Sequence, residues 1–291
     1  MIPIKCEKII TEESEHFLNE SLGAFEEQYE LSKEIADIVY ELAQNKTISY
    51  QYETSYNKIF KTINITNSYN VNSNTISGKI VGLDVDEKKI SVKFFIDENL
   101  IGDKIRFKAL LVNCVAHELM HGNIFFNRYY NNVEINDAPI YYDVIVCLIG
   151  EYEGDILGDF ARGLYITYYH EMNSLISQTN VQLYTILGHG KLYTNQEIKN
   201  ALKKTEVYYM YNTLLHLTIP KINRMDDETV KNKIVIQFQY RGVDIDVEWV
   251  RKQCKKMEYK AKLAFNNIFR NAMIKGKNIH ENIRLLYYDT F

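Results

Sequence analysis

The fold is organised around one stretch of sequence, Cys114-Val115-Ala116-His117-Glu118-Leu119-Met120-His121-Gly122. It contains the pattern His-Glu-x-x-His within an apolar run that predicts a buried helix over residues 103–126. Positions i and i+4 of a helix lie on one face, so His117 and His121 can bind one cation together. Glu118 would lie beside that cation and take a proton from a metal-bound water. A chance pattern among seven histidines is the weaker interpretation.

A catalytic zinc ion usually has three protein ligands, so a third ligand is needed from elsewhere in the chain. The best candidate is Glu151, which we predict to lie on a second helix over residues 138–170. On that helix Glu151, Asp155 and Gly158 share one face. Asp155 could accept the free N–H of a ligand histidine, and Gly158 would allow close packing against the first helix. The alternative is an acidic, solvated helix face, but the preceding run Val144–Ile149 is strongly apolar and favours buried carboxylates.

This combination of His-Glu-x-x-His on one helix and Glu-x-x-x-Asp on another resembles the gluzincin metallopeptidases. More narrowly, the string Glu151-Tyr152-Glu153-Gly154-Asp155 is similar to the second helix of the HtpX and CaaX-processing type of zinc protease. The resemblance covers these two helices only. It implies a Zn²⁺ ion held by His117, His121 and Glu151, with Glu118 as general base and Asp155 as hydrogen-bonding support.

The composition is that of a soluble globular protein, with 46% hydrophobic and 25% charged residues. The net charge of −4 offers no general attraction to nucleic acid, and we do not expect nucleic-acid binding. The four widely spaced cysteines are predicted to be reduced thiols. The N-terminus has no signal-peptide pattern, and no apolar run is long enough to span a bilayer. These features predict a cytoplasmic protein. The abundance of Ile, Asn, Lys and Tyr suggests an AT-rich genome, bacterial or from a phage or virus.

The hydrophobic patterning predicts an α+β, zincin-like fold in three parts. Residues 1–46 would form an acidic helical segment, residues 47–190 the metallopeptidase core, and residues 191–291 a helical C-terminal subdomain. In the last part, residues 234–240 are a possible strand. Nothing in the sequence fixes the oligomeric state.

Alternating apolar residues predict a small, mostly antiparallel sheet packed on the His-Glu-x-x-His helix. Its strands are predicted at residues 47–54, 58–66, 79–85 and 89–96. The last two form a hairpin, and residues 67–77 form a polar loop. One strand would border the cleft, where an extended peptide could add to its edge.

The resulting hypothesis is zinc-dependent hydrolysis of a peptide or protein substrate, with Glu118 moving the proton. Such a reaction usually needs a donor that faces the developing oxyanion. We predict His189, which lies between two glycines, for this catalytic role. The other candidates are His170, His216, Tyr152 and Arg162.

Two alternatives remain open at this point. The chain could be a non-catalytic, metallopeptidase-like structural or binding component, for example of a viral particle or a regulatory complex, in which zinc holds the core together. It could also be a protease-type regulator or toxin that acts on one partner only. Glu118 argues against the first alternative, because a purely structural zinc site has no use for a base.

Overall fold

The computed structural model describes residues 25–54, 60–70, 75–130, 141–187 and 194–273 and has an α+β architecture. The chain divides into two units, Met1–Val133 and Glu134–Phe291. All described strands belong to the first unit, whereas the described elements of the second unit are helical. The three-part division drawn from the sequence stays a prediction.

The described part of the first unit contains two α-helices, a short 3-10 helix at Glu98–Leu100 and a four-stranded mixed sheet. Its elements are α1 (Phe25–Gln44), β1 (Ser49–Glu53), β2 (Thr62–Asn70), β3 (Ile76–Asp84), β4 (Lys89–Asp97) and α2 (Lys104–Tyr130). The strand order is β1-β2-β4-β3. The β1–β2 and β3–β4 pairs are antiparallel, and the β2–β4 pair is parallel. The small sheet and the β3–β4 hairpin are confirmed, and β3 lies at one edge of the sheet.

The predicted loop over residues 67–77 is wrong in part. β2 continues to Asn70, and β3 already begins at Ile76, while residues 71–74 lie outside the described part of the chain. Asn67 to Asn70 pair in register with Phe94 to Asp97 of β4. Pairing with a neighbouring strand therefore overrides the weak strand propensity of asparagine and serine.

The core of the first unit lies between one face of the sheet and the helices α1 and α2. Alternate residues of β4 are buried, as period-two patterning requires: Ile90, Val92, Phe94 and Ile96. Helix α2 comes closest to the sheet at Gly122. A Cβ atom there would lie 2.5 Å from Cδ1 of Ile90 and 2.8 Å from Cζ of Phe60. This contact fixes the helix beside the sheet one residue after His121.

Besides two π-helical segments at Leu214–Thr218 and Lys231–Val235, the described part of the second unit is a set of packed α-helices. They are α3 (Tyr142–Glu151), α4 (Ile156–Ile166), α5 (Tyr169–Leu187), α6 (Asn195–Leu202), α7 (Glu206–Thr213), α8 (Ile219–Arg224), α9 (Asp227–Val230), α10 (Ile236–Tyr240) and α11 (Val247–Met273). The possible strand at residues 234–240 is wrong, because this segment is helical and buries Ile234, Val235 and Phe238 on one helix face. None of the described helices is long and apolar enough to cross a membrane.

The predicted continuous helix over residues 138–170 is also wrong, since within the described part it is broken after Glu151 and again after Ile166. The first break follows Glu151, where Gly154 has a φ of +81° that suits only glycine without strain. Asp155 then caps α4, its Oδ1 accepting a hydrogen bond from the backbone N–H of Leu157 at 3.2 Å. A Cβ at Gly158 would clash with the carbonyl oxygen of Tyr152. The close approach at Gly158 is therefore to the preceding turn of the chain.

Candidate metal centre

Helix α2 carries both histidines of the His-Glu-x-x-His pattern on one face. The Nε2 atoms of His117 and His121 are 3.0 Å apart, and their rings meet nearly edge to face with centroids 4.7 Å apart. Two nitrogens that each lie about 2.0–2.1 Å from a tetrahedral cation are separated by about 3.3 Å. The 3.0 Å separation of the two Nε2 atoms is close to that value, so the two rings could bind one cation through the lone pairs of both Nε2 atoms. The other possibility is a direct hydrogen bond between the rings, which needs a hydrogen on one Nε2.

Glu118 follows His117 on α2 and is 8% exposed. Its neighbour across the packing interface is Gly78 of strand β3. A Cβ at Gly78 would lie 2.7 Å from Cγ of Glu118 and 2.9 Å from Sγ of Cys114. The absence of a side chain at Gly78 leaves the space that the Glu118 side chain fills, so the edge strand positions this carboxylate.

Cys114 lies about one helical turn before His117 and Glu118, and its thiol is free. Burial raises the pKa of the Cys114 thiol well above its usual range, and the negative charge of Glu118 raises it further. Metal binding by cysteine uses the thiolate. This environment favours a buried, protonated thiol over a metal ligand.

Within the first unit, His117 and His121 each offer one ring nitrogen to a metal ion, and His121 is buried. The second unit contains a buried carboxylate of its own, Glu171, which accepts a hydrogen bond from the hydroxyl of Tyr142 at 3.2 Å.

Glu171 was not singled out from the sequence, because the predicted second helix stopped at His170. In the structure a new helix, α5, begins at Tyr169 and carries Glu171 in its first turn. A carboxylate is favoured there by the helix dipole. The sequence does contain a signal, since Glu171 follows three consecutive aromatic side chains in Tyr168-Tyr169-His170, an environment in which a carboxylate needs a partner.

Glu151 and Asp155, the other carboxylates predicted for the site, are exposed. Glu151 ends α3 and forms an ion pair with Arg241. Asp155 caps α4 as described above. These placements do not test metal binding by Glu151 or hydrogen-bonding support by Asp155, and both stay predictions.

The structure does not select a donor for an oxyanion. His189 lies outside the described residues. Of the other candidates, Tyr152 donates a hydrogen bond to Oε1 of Gln237 at 3.0 Å, and His170 stacks on Tyr168 with ring centroids 6.2 Å apart. His216 is exposed and Arg162 is half-buried.

Comparison of the chain with protein-family models, with curated proteins and with solved structures gives no match. The gluzincin resemblance therefore stays a prediction based on the residues of two helices.

Proposed function

We propose that this protein is a zinc-dependent metallopeptidase. The observation that carries the proposal is the convergence of the His117 and His121 Nε2 atoms, 3.0 Å apart, on a helix in which the residue after His117 is a buried glutamate, Glu118. A structural metal site needs no additional base, whereas hydrolysis does.

The residues that would hold the zinc ion are His117 and His121 of α2, with Glu151 as the third ligand that the gluzincin resemblance implies. Two imidazoles and one carboxylate are a ligand set of catalytic zinc sites, which keep a further position open. Calcium and magnesium prefer oxygen ligands throughout. Non-haem Fe(II) oxygenases also use two histidines and one carboxylate. Glu118 directly after the first histidine favours zinc, because this glutamate is the general base of the His-Glu-x-x-His pattern.

Zinc at this site would polarise the scissile carbonyl and make water a better acid. The role of the chain is then to move a proton. Glu118 would accept it from the attacking water and deliver it to the leaving amine. The contact with Gly78 restricts the Glu118 side chain, which supports a fixed position for the base.

The substrate we propose is an extended segment of peptide or protein. Strand β3 lies at the edge of the sheet and passes Glu118 at Gly78. Main-chain hydrogen bonds to such an edge would align an extended peptide largely independently of its side chains. The geometry of β3 therefore supports a peptide substrate.

Replacing Gly78 by alanine is expected to lower kcat by about 10²-fold while zinc stays bound, because misplacing a catalytic group by about 1 Å has an effect of that size. The matched control is Gly82→Ala on the same strand, where a Cβ would have its nearest neighbour at an ordinary 3.5 Å. We expect near wild-type kcat for Gly82→Ala. Full activity in Gly78→Ala, measured at equal zinc content, would contradict the positioning role of Gly78.

The proposal is tested by incubating the zinc-loaded full chain with a diverse peptide library and with unfolded proteins. We expect new N-termini, detected by mass spectrometry, that disappear after treatment with a chelator and return when zinc is added. Cleavage of one protein only would identify a dedicated regulator with the same chemistry. Zinc binding without cleavage of any substrate would contradict the proposal and favour the non-catalytic alternative.

A further inference from the structure

Strand β1 forms one edge of the sheet in the first unit and is exposed over most of its length. The carbonyl of Ile48 and the N–H of Thr54, which flank β1, form hydrogen bonds of 2.7 and 3.0 Å with the backbone of β2 and of the residue before it. Because backbone groups alternate along a strand, Ser49, Gln51 and Glu53 direct their N–H and C=O groups away from β2. Among the described strands, none lies beyond them on that side.

The sequence of β1 lacks the features that usually keep an exposed edge from pairing with another strand. Natural sheets protect their edges with lysine, proline or a β-bulge. The strand Ser49–Glu53 contains neither lysine nor proline, and its pairing with β2 has no register shift. The side chains of Ile48 and Tyr50 are 64% and 46% exposed. A strand added at this edge would therefore find free backbone geometry and apolar surface to cover.

Strand β1 is self-complementary when it is paired antiparallel with a second copy of itself. With a two-fold axis at Gln51, Ser49 of one copy lies opposite Glu53 of the other, and Tyr50 lies opposite Tyr52. The serine hydroxyl can donate to the carboxylate, and facing aromatic side chains stabilise antiparallel strands. In this register the outward-facing residues occupy the positions at which opposite residues exchange both backbone hydrogen bonds. The pairing brings no like charges opposite each other within β1.

We propose that β1 is a self-association edge, through which two copies of the chain pair antiparallel about Gln51 and join their sheets into one continuous sheet. The proposal is independent of the proposed function, because no metal-site residue belongs to β1. An interface between two such short strands belongs to the small, transient class. We therefore expect a reversible dimer whose fraction rises with protein concentration.

The test measures the mass of the full chain by sedimentation equilibrium, from low to high micromolar concentration. Gln51→Lys and Gln51→Glu each place two like charges opposite each other at the two-fold axis. Each variant alone is expected to weaken self-association by about five-fold, whereas an equimolar mixture pairs opposite charges and should regain the wild-type association. The matched control is Ser77→Lys, which adds a charge at an exposed position of β3, the opposite edge strand, and should associate as the wild type does.

A second readout locates the two-fold axis. The Cα atoms of a hydrogen-bonded antiparallel pair are about 5.5 Å apart, a distance that a disulfide can span. Gln51→Cys is therefore expected to form a linked dimer on mild oxidation, well beyond the wild type with its native thiols, whereas Ser49→Cys faces position 53 and should not. A chain that stays monomeric at every concentration would overturn the proposal. So would a dimer that Gln51→Lys leaves intact, or one that Ser77→Lys weakens equally.

Discussion

Replacing Glu118 by glutamine is expected to lower kcat by about 10²-fold to 10⁴-fold, the usual contribution of a general base. Glutamine has the shape of glutamate, so the side chain still fits the space beside Gly78. It cannot accept the proton from the attacking water. Zinc content and KM should stay close to the wild-type values, because neither the proposed ligands nor the edge of β3, where we propose that the substrate binds, is changed.

The matched control for this substitution is Glu153→Gln, which removes the same charge from an exposed position. We expect wild-type kcat for that variant. The measurement is steady-state cleavage of a peptide found in the library experiment, at equal zinc occupancy. If Glu118→Gln retained wild-type kcat, Glu118 would not be the base, and the histidine pair would serve another purpose.

Replacing Glu151, the third ligand that the gluzincin resemblance implies, by alanine is expected to weaken zinc binding by more than about 100-fold, beyond the range typical of hydrogen-bond partners of metal ligands. The ion pair with Arg241 is lost as well, but an exposed interaction of this kind contributes only about 0–1 kcal/mol to stability. The control is Glu153→Ala, which removes an exposed carboxylate two positions away and should keep zinc.

The isosteric variant Glu151→Gln accompanies the alanine variant, because it keeps the shape of the side chain and removes the negative charge that would bind the cation. Zinc affinity is measured by calorimetry on variants whose circular dichroism matches the wild type. Wild-type zinc affinity in both Glu151 variants would remove Glu151 from the site.

Local sequence patterns predicted the helices and strands whose formation depends on residues that are close together in the sequence. Helix α2 and the β3–β4 hairpin lie where periodicity places them, because amphipathic patterning is set within each element. The proximity of His117 and His121 likewise follows from i, i+4 spacing on one helix.

The features that the sequence did not reveal depend on single residues or on distant contacts. One glycine, Gly154, ends α3 and puts Glu151 and Asp155 at the ends of different helices, so their shared face does not form. Gly78 lies against Glu118 although 40 positions separate the two residues (118 − 78). Contacts over such distances depend on tertiary structure, which helical periodicity does not specify.

The metal content of the purified protein tests the central claim most directly. By elemental analysis we expect about one zinc ion per wild-type chain, and loss of that zinc in His117→Ala and in His121→Ala, with the secondary structure of both variants intact. A wild-type chain that takes up no metal, or zinc that remains bound when both imidazoles are removed, would contradict the account.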